Sequence, residues 1–106
     1  MGERNPARAA NEVVFRNINE WVEELTTGRV LDVVCECDDM NCGKQFPVSV
    51  DVYERVRSEG TLFLVLPGHD DESIEEVVER ADRYVVVRKD PGRPANVARA
   101  TDPRAG

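Results

Sequence analysis

The sequence is poor in the residues from which most active sites are built: it holds one histidine, three cysteines and one tryptophan in 106 residues. A single histidine excludes the His-Glu-x-x-His helix of zinc proteases, and no His-x-Glu is paired with Pro-Cys-x-x-Cys. No glycine-rich phosphate loop is present. A Ser–His–Asp triad would have to use His69, and no nucleophile elbow frames a serine. Catalysis is therefore not the expectation, and a zinc hydrolase stands last among the functional readings. Long apolar runs are missing too. None approaches the roughly 20 residues that span a bilayer, and Met1-Gly2-Glu3-Arg4-Asn5-Pro6 has no apolar signal-peptide segment. Pro6 occupies the place where a myristoylation signal wants Ser or Thr.

Positive charge is in deficit. Fourteen basic residues face 21 acidic ones, a net charge of −7. Phosphate backbones and anionic membranes both select for clustered Lys and Arg, so neither nucleic acid nor membrane is an expected partner. An odd cysteine count without an export segment points to a reducing, cytoplasmic setting. There, clustered cysteines read as metal ligands before disulfides. The length fits one domain, and a chain this short buries only about 60–65% of its unfolded surface. A bound metal is one remedy for that thin margin.

What is present is periodic. Asn5 as N-cap and Pro6 at the first turn open a helix. Ala10, Val14, Ile18, Trp21 and Leu25 then share one face, flanked by Phe15 and Val22, while Glu12, Arg16, Glu20, Glu23 and Glu24 take the other. A helix over 6–27 with the Trp21 stripe in the core is expected, and the Phe15/Val22 flank is a candidate dimer contact. Residues 30–37 are β-branched and read as a strand, and 45–48 as an extended return. Ser49 caps a short helix to about Ser58. Residues 61–66 form an apolar run, expected as a buried strand ending at Pro67-Gly68. Residues 73–88 fit one turn of helix and then a hairpin about Ala81-Asp82-Arg83, with a longer helix as the alternative. From Asp90 the chain is Pro, Gly, Ala and Arg without an apolar period, and a disordered tail over 90–106 is expected.

The chemistry is concentrated in Cys35, Cys37 and Cys42, three cysteines within eight residues. On a strand, Cys35 and Cys37 project from the same face, and four loop residues let Cys42 turn back over it. His69 follows the second apolar strand. If the two strands lie close together, the four side chains converge into a Cys3His set, a standard tetrahedral zinc site. Thiolate-rich sites also take copper(I) or iron–sulfur clusters, and the imidazole favours zinc. Gly43 and Gly68 would let backbone wrap the ion. Two other readings of the cysteines stay open: buried small apolar side chains, or a Cys37–Cys42 redox pair. Should His69 instead bond to backbone, Asp38, Asp39 or Asp70 offers an oxygen ligand. The acidic run Asp70, Asp71, Glu72, Glu75, Glu76 and Glu79 reads as a solvated face, on which a basic protein partner would be able to dock.

Several stretches together carry a resemblance: residues 11–20, Cys35-Glu36-Cys37 with Cys42, residues 53–57, residues 63–69 with Pro67-Gly68-His69, and residues 77–89. Across residues 3–89 they resemble a family of small uncharacterised actinobacterial proteins with a Cys-Glu-Cys…Cys…Pro-Gly-His pattern. The resemblance implies a cytoplasmic single-domain protein and groups Cys35, Cys37, Cys42 and His69. It implies no activity. The expectation is thus an α+β domain over residues 1–89, with a long N-terminal helix on a small, mainly antiparallel sheet and a zinc staple at one end. It would be a monomer or homodimer, acting through a protein partner as an interaction or regulatory module. The alternative is a thiol-based redox sensor that releases zinc on oxidation.

Overall fold

The computed structural model describes residues 6–39 and 41–104, with the side chains of 6–10 left aside; Asn5, expected as a cap, and the last two residues of the expected tail lie outside that range. The fold is α+β. Helix α1 (Pro6–Leu25) is followed by β1 (Val30–Val34), β2 (Gln45–Ser49), α2 (Val50–Arg57) and β3 (Leu62–Val65), then by β4 (Glu75–Arg80), β5 (Val85–Lys89) and α3 (Arg93–Ala100). The expected sheet is divided in two. β1 and β2 form an antiparallel ribbon, and β3, β5 and β4 form an antiparallel sheet with β5 in the middle.

Side-chain alternation explains the ribbon: Leu31, Val33, Phe46 and Val48 point inward while Val30, Asp32 and Ser49 stay outside. β3 is buried along its whole length, as its unbroken apolar run requires. Tyr53 and Val56 of α2, together with Val85, Val86 and Val87, close the core between the two sheets. Ser49 caps α2 by accepting the Val52 N–H at 3.1 Å. Residues 73–88 take the hairpin form. A tight turn with Ile74 and Glu75 N–H on Asp71 O leads into β4, and Ala81 N–H bonds to Tyr84 O at its tip. Among the described residues no helix is long and apolar enough to cross a membrane.

The structure corrects three expectations. The first concerns α1, which is turned over. Trp21 is 70% exposed and Leu25 80% exposed, with Val14 and Ile18 also outside, whereas Glu12, Arg16 and Asn19 are buried. The cause is polar complementarity. Asn19 donates to Val34 O and accepts from Val34 N–H, both at 2.8 Å. Arg16 donates to Gly60 O and Ala98 O at 2.7 and 2.9 Å and lies over the Phe63 ring. Glu12 receives Lys89 Nζ at 2.7 Å. These groups find buried partners, and burying the stripe instead would strand all of them.

Second, β1 stops at Val34 rather than Cys37, because after one further ladder bond at Cys35 the chain crosses to β3, where Glu36 N–H bonds to Leu64 O. Third, the stretch expected to be a disordered tail contains α3. Gly92, at φ +95, turns the chain into it, and Pro94 sits in its first turn. Ala95 and Ala98 pack it down, and Arg16 also reaches Thr101 Oγ1 at 3.0 Å. Two small alanines give no apolar period in the sequence but allow close approach. Beyond α3, Arg104 bonds Glu20 and Glu54 and thereby joins α1 to α2.

Candidate metal centre

The cysteines sit in the loop that joins β1 to β2. Cys35 N–H bonds to Lys44 O at 2.8 Å and extends the ribbon ladder by one step. Cys42 N–H bonds to Asp39 O at 3.1 Å, and Asn41 N–H to the Asp39 carboxylate at 2.9 Å, folding the loop back on itself. Gly43, at φ +52, then returns the chain to β2. The histidine comes from the other sheet. His69 N–H bonds to Leu66 O at 3.0 Å, with Pro67 and then Gly68 (φ +83) at the two central positions. This is a type II turn, in which Pro presets the first central φ and Gly supplies the positive second one. The Pro-Gly pair therefore delivers His69 from the end of β3 to the cysteine loop.

The four side chains meet. One ligand atom from each of Cys35, Cys37, Cys42 and His69 lies within 4.8 Å of the others. His69 Nδ1 is 3.8 Å from Cys35 Sγ and 3.6 Å from Cys42 Sγ. Zinc bond lengths of about 2.3 Å to sulfur and 2.0–2.1 Å to nitrogen give a regular tetrahedron S···N edges near 3.6 Å. The observed spacings match that edge. The four residues form a potential metal-binding site with the composition of a closed structural centre. Asp38, Asp39 and Asp70, held in reserve as ligands, line the neighbouring cleft instead.

Electrostatics favour a cation. Cys37 is held down at about 5, chiefly by the hydrogen bond from Cys35. Cys35, the donor in that bond and buried, is pushed far up, and burial raises Cys42 as well. A divalent ion at their meeting point would stabilise all three sulfurs as thiolates. Leu66 N–H already points at Cys35 Sγ, at 3.2 Å. None of the three cysteines is in a disulfide. The small-apolar reading is met in part, since Cys35 and Cys37 are buried and pack in the core. Cys42 and His69 are half-buried at the rim, beside an open cleft of about 540 Å³ lined by Asp38, Asp39, Asp70, Asp71 and Glu72.

The residue that sequence reasoning missed is Glu36. It stands between two ligands in extended chain, so its side chain leaves on the opposite side, toward the core. There it is 1% exposed and meets Arg57 in a two-pronged pair at 2.7 and 2.9 Å. Asn19 Nδ2 donates to it at 2.7 Å. Leu64 is gripped twice: its N–H donates to the Glu36 carboxylate at 2.9 Å, and its O accepts the Glu36 N–H at 2.8 Å. The signal was present in the alternation Cys-Glu-Cys, since a carboxylate opposite two buried ligands requires a buried cation. Arg57 has that place on α2. Glu36 therefore fixes the backbone that carries Cys35 and Cys37, as outer-shell groups do around metal sites. Comparison with protein-family models, curated proteins and solved structures finds no match, so the site is read from its own geometry.

Proposed function

We propose that Cys35, Cys37, Cys42 and His69 bind one zinc ion as a structural staple, and that the protein works as a small cytoplasmic interaction or regulatory module. The observation that carries this reading is the mutual approach of the four ligand atoms, all within 4.8 Å of one another, with His69 Nδ1 3.8 and 3.6 Å from Cys35 and Cys42 Sγ. The ion would join the β1–β2 loop to the end of β3, and so tie the two sheets together across the segment 35–37. The acidic cleft beside it supports docking of a basic partner segment. Membership of the small actinobacterial family with the Cys-Glu-Cys…Pro-Gly-His pattern belongs to the same proposal. Native mass spectrometry of protein purified without added metal tests the staple. One zinc per chain is expected, and a metal-free chain that melts at the same temperature as the zinc-loaded one overturns it.

One feature favours a second reading, the thiol sensor. Cys42 lies at the rim, where an oxidant reaches it, while Cys35 and Cys37 are buried. Peroxide would oxidise the Cys42 thiolate to a sulfenic acid, with loss of one hydroxide. Attack by the Cys37 thiolate would then form a disulfide, expel a second hydroxide and release zinc. Zinc release that thioredoxin-type reduction reverses supports the sensor, and thiolates inert to mild peroxide exclude it.

A further inference from the structure

Among the described residues the outward stripe of α1 takes no part in the core or in the metal centre. Val14, Ile18, Trp21 and Leu25 are 51%, 38%, 70% and 80% exposed. Together they present on the order of 500 Å² of apolar surface, toward the upper end for the largest patch on a monomer. A standard interface takes roughly 800 Å² from each partner. The half-buried Phe15 and Val22 on one flank, and the exposed Asn17 and Glu24 on the other, extend the stripe toward that area.

We propose that this face pairs with the same face of a second copy, in an antiparallel two-fold helix pair. The sequence spacing is four, three, four, the alternation of a and d positions in a heptad. Running antiparallel about a point between Asn19 and Glu20, the stripe is self-complementary. Val14 meets the partner's Leu25, and Ile18 meets the partner's Trp21. Phe15 falls beside the partner's Val22, an apolar flank against an apolar flank. Asn17 falls beside the partner's Glu24, so no two carboxylates are opposed across the seam. The next acids around the helix, Glu20 and Glu23, lie 3.0 and 3.9 Å from Arg104, which also pairs with Glu54. Along this seam Glu24 is the exposed carboxylate, while Glu20 and Glu23 are half-buried and share Arg104 with Glu54. A second copy finds a matching apolar surface. The same pairing makes an isologous interface, the commonest form of small homodimer.

The test uses the full, metal-loaded chain in sedimentation velocity from about 1 to 200 µM, since dimer formation follows mass action. A concentration-dependent dimer is expected, and the fluorescence of Trp21, the only tryptophan, should shift to the blue as it forms. Trp21→Glu, and independently Leu25→Glu, should weaken dimerisation by at least about 100-fold. Both side chains lie outside the core, and far-UV circular dichroism checks that each variant is folded. Orientation is tested at Asn17. Asn17→Lys should tighten the dimer about 3- to 10-fold by meeting the partner's Glu24, and Asn17→Glu should loosen it by a similar factor. A chain that stays monomeric throughout, or a dimer indifferent to Trp21→Glu and Leu25→Glu, overturns the proposal. Asn17 variants that do not separate by charge overturn the antiparallel arrangement.

Discussion

Arg57→Met should be the most damaging single change away from the metal ligands. Arg57 is 1% exposed and donates to both Glu36 oxygens, at 2.7 and 2.9 Å, and to Leu62 O at 3.3 Å. Its loss leaves a carboxylate with no measurable exposure whose remaining hydrogen bonds come from the neutral donors Asn19 Nδ2 and Leu64 N–H. Breaking one side of a buried ion pair costs about 3–5 kcal/mol. That is a large share of the 5–15 kcal/mol typical of a whole domain. Equilibrium urea denaturation at saturating zinc should therefore show the midpoint falling by roughly 2–3 M, given a slope of about 1.5 kcal/mol/M. Glu36→Gln in the Arg57→Met background should recover part of the loss, because the stranded charge is gone. The double-mutant cycle should give a coupling of at least about 2 kcal/mol. Zinc affinity should fall as well, by about 10- to 100-fold, since Glu36 holds the segment between two ligands. A cost below about 1 kcal/mol, or a coupling near zero, would refute the view that this pair anchors the cysteine loop.

Three further outcomes are expected. Cys37→Ser, or a strong chelator at neutral pH, should unfold the protein or lower its melting temperature sharply, since structural zinc contributes about as much free energy as a domain of this size holds; calorimetry with verified metal content checks this. At pH 8 the metal-free chain carries a thiolate at Cys37 and thiols at the raised Cys35 and Cys42, so zinc uptake should expel about two protons. Titration calorimetry in buffers of differing ionisation enthalpy counts them. Because protons and zinc compete for the same sulfurs, affinity should drop as pH is lowered, and a count near zero would refute the ligand assignment. Arg16→Met should loosen α3 from the body of the protein, and amide exchange should accelerate over residues 95–102 far more than over β5.

The elements were legible where local physics decides them. The existence of α1, the ends of α2, the buried strand β3, the hairpin of β4 and β5 and the Pro67-Gly68 turn all follow from periodicity, capping and turn chemistry. So does the grouping of Cys35, Cys37, Cys42 and His69, because residues that rare and that closely spaced have few competing uses. The orientation of α1 was not legible. Periodicity shows that a helix has two unlike faces, and the usual rule then sends the apolar one inward. Here Arg16 and Asn19 have partners at Ala98, Val34 and Glu36, far away in sequence, and those bonds override the rule. α3 was hidden for the opposite reason. Its contacts are made by Ala95 and Ala98, whose small side chains leave no period to read.

The inward polar face of α1 has a bearing on how the chain is made. A ribosome releases the helix first, while Lys89, Ala98 and Thr101, which will bind Glu12 and Arg16, are still many residues from synthesis. The side of α1 able to stick to other nascent chains is the outward stripe of Val14, Ile18, Trp21 and Leu25, not the side that docks. The docking face of α1 is charged and hydrogen-bonding, so water satisfies it during the delay. Its partners on β5 and α3 replace water only once those elements have emerged.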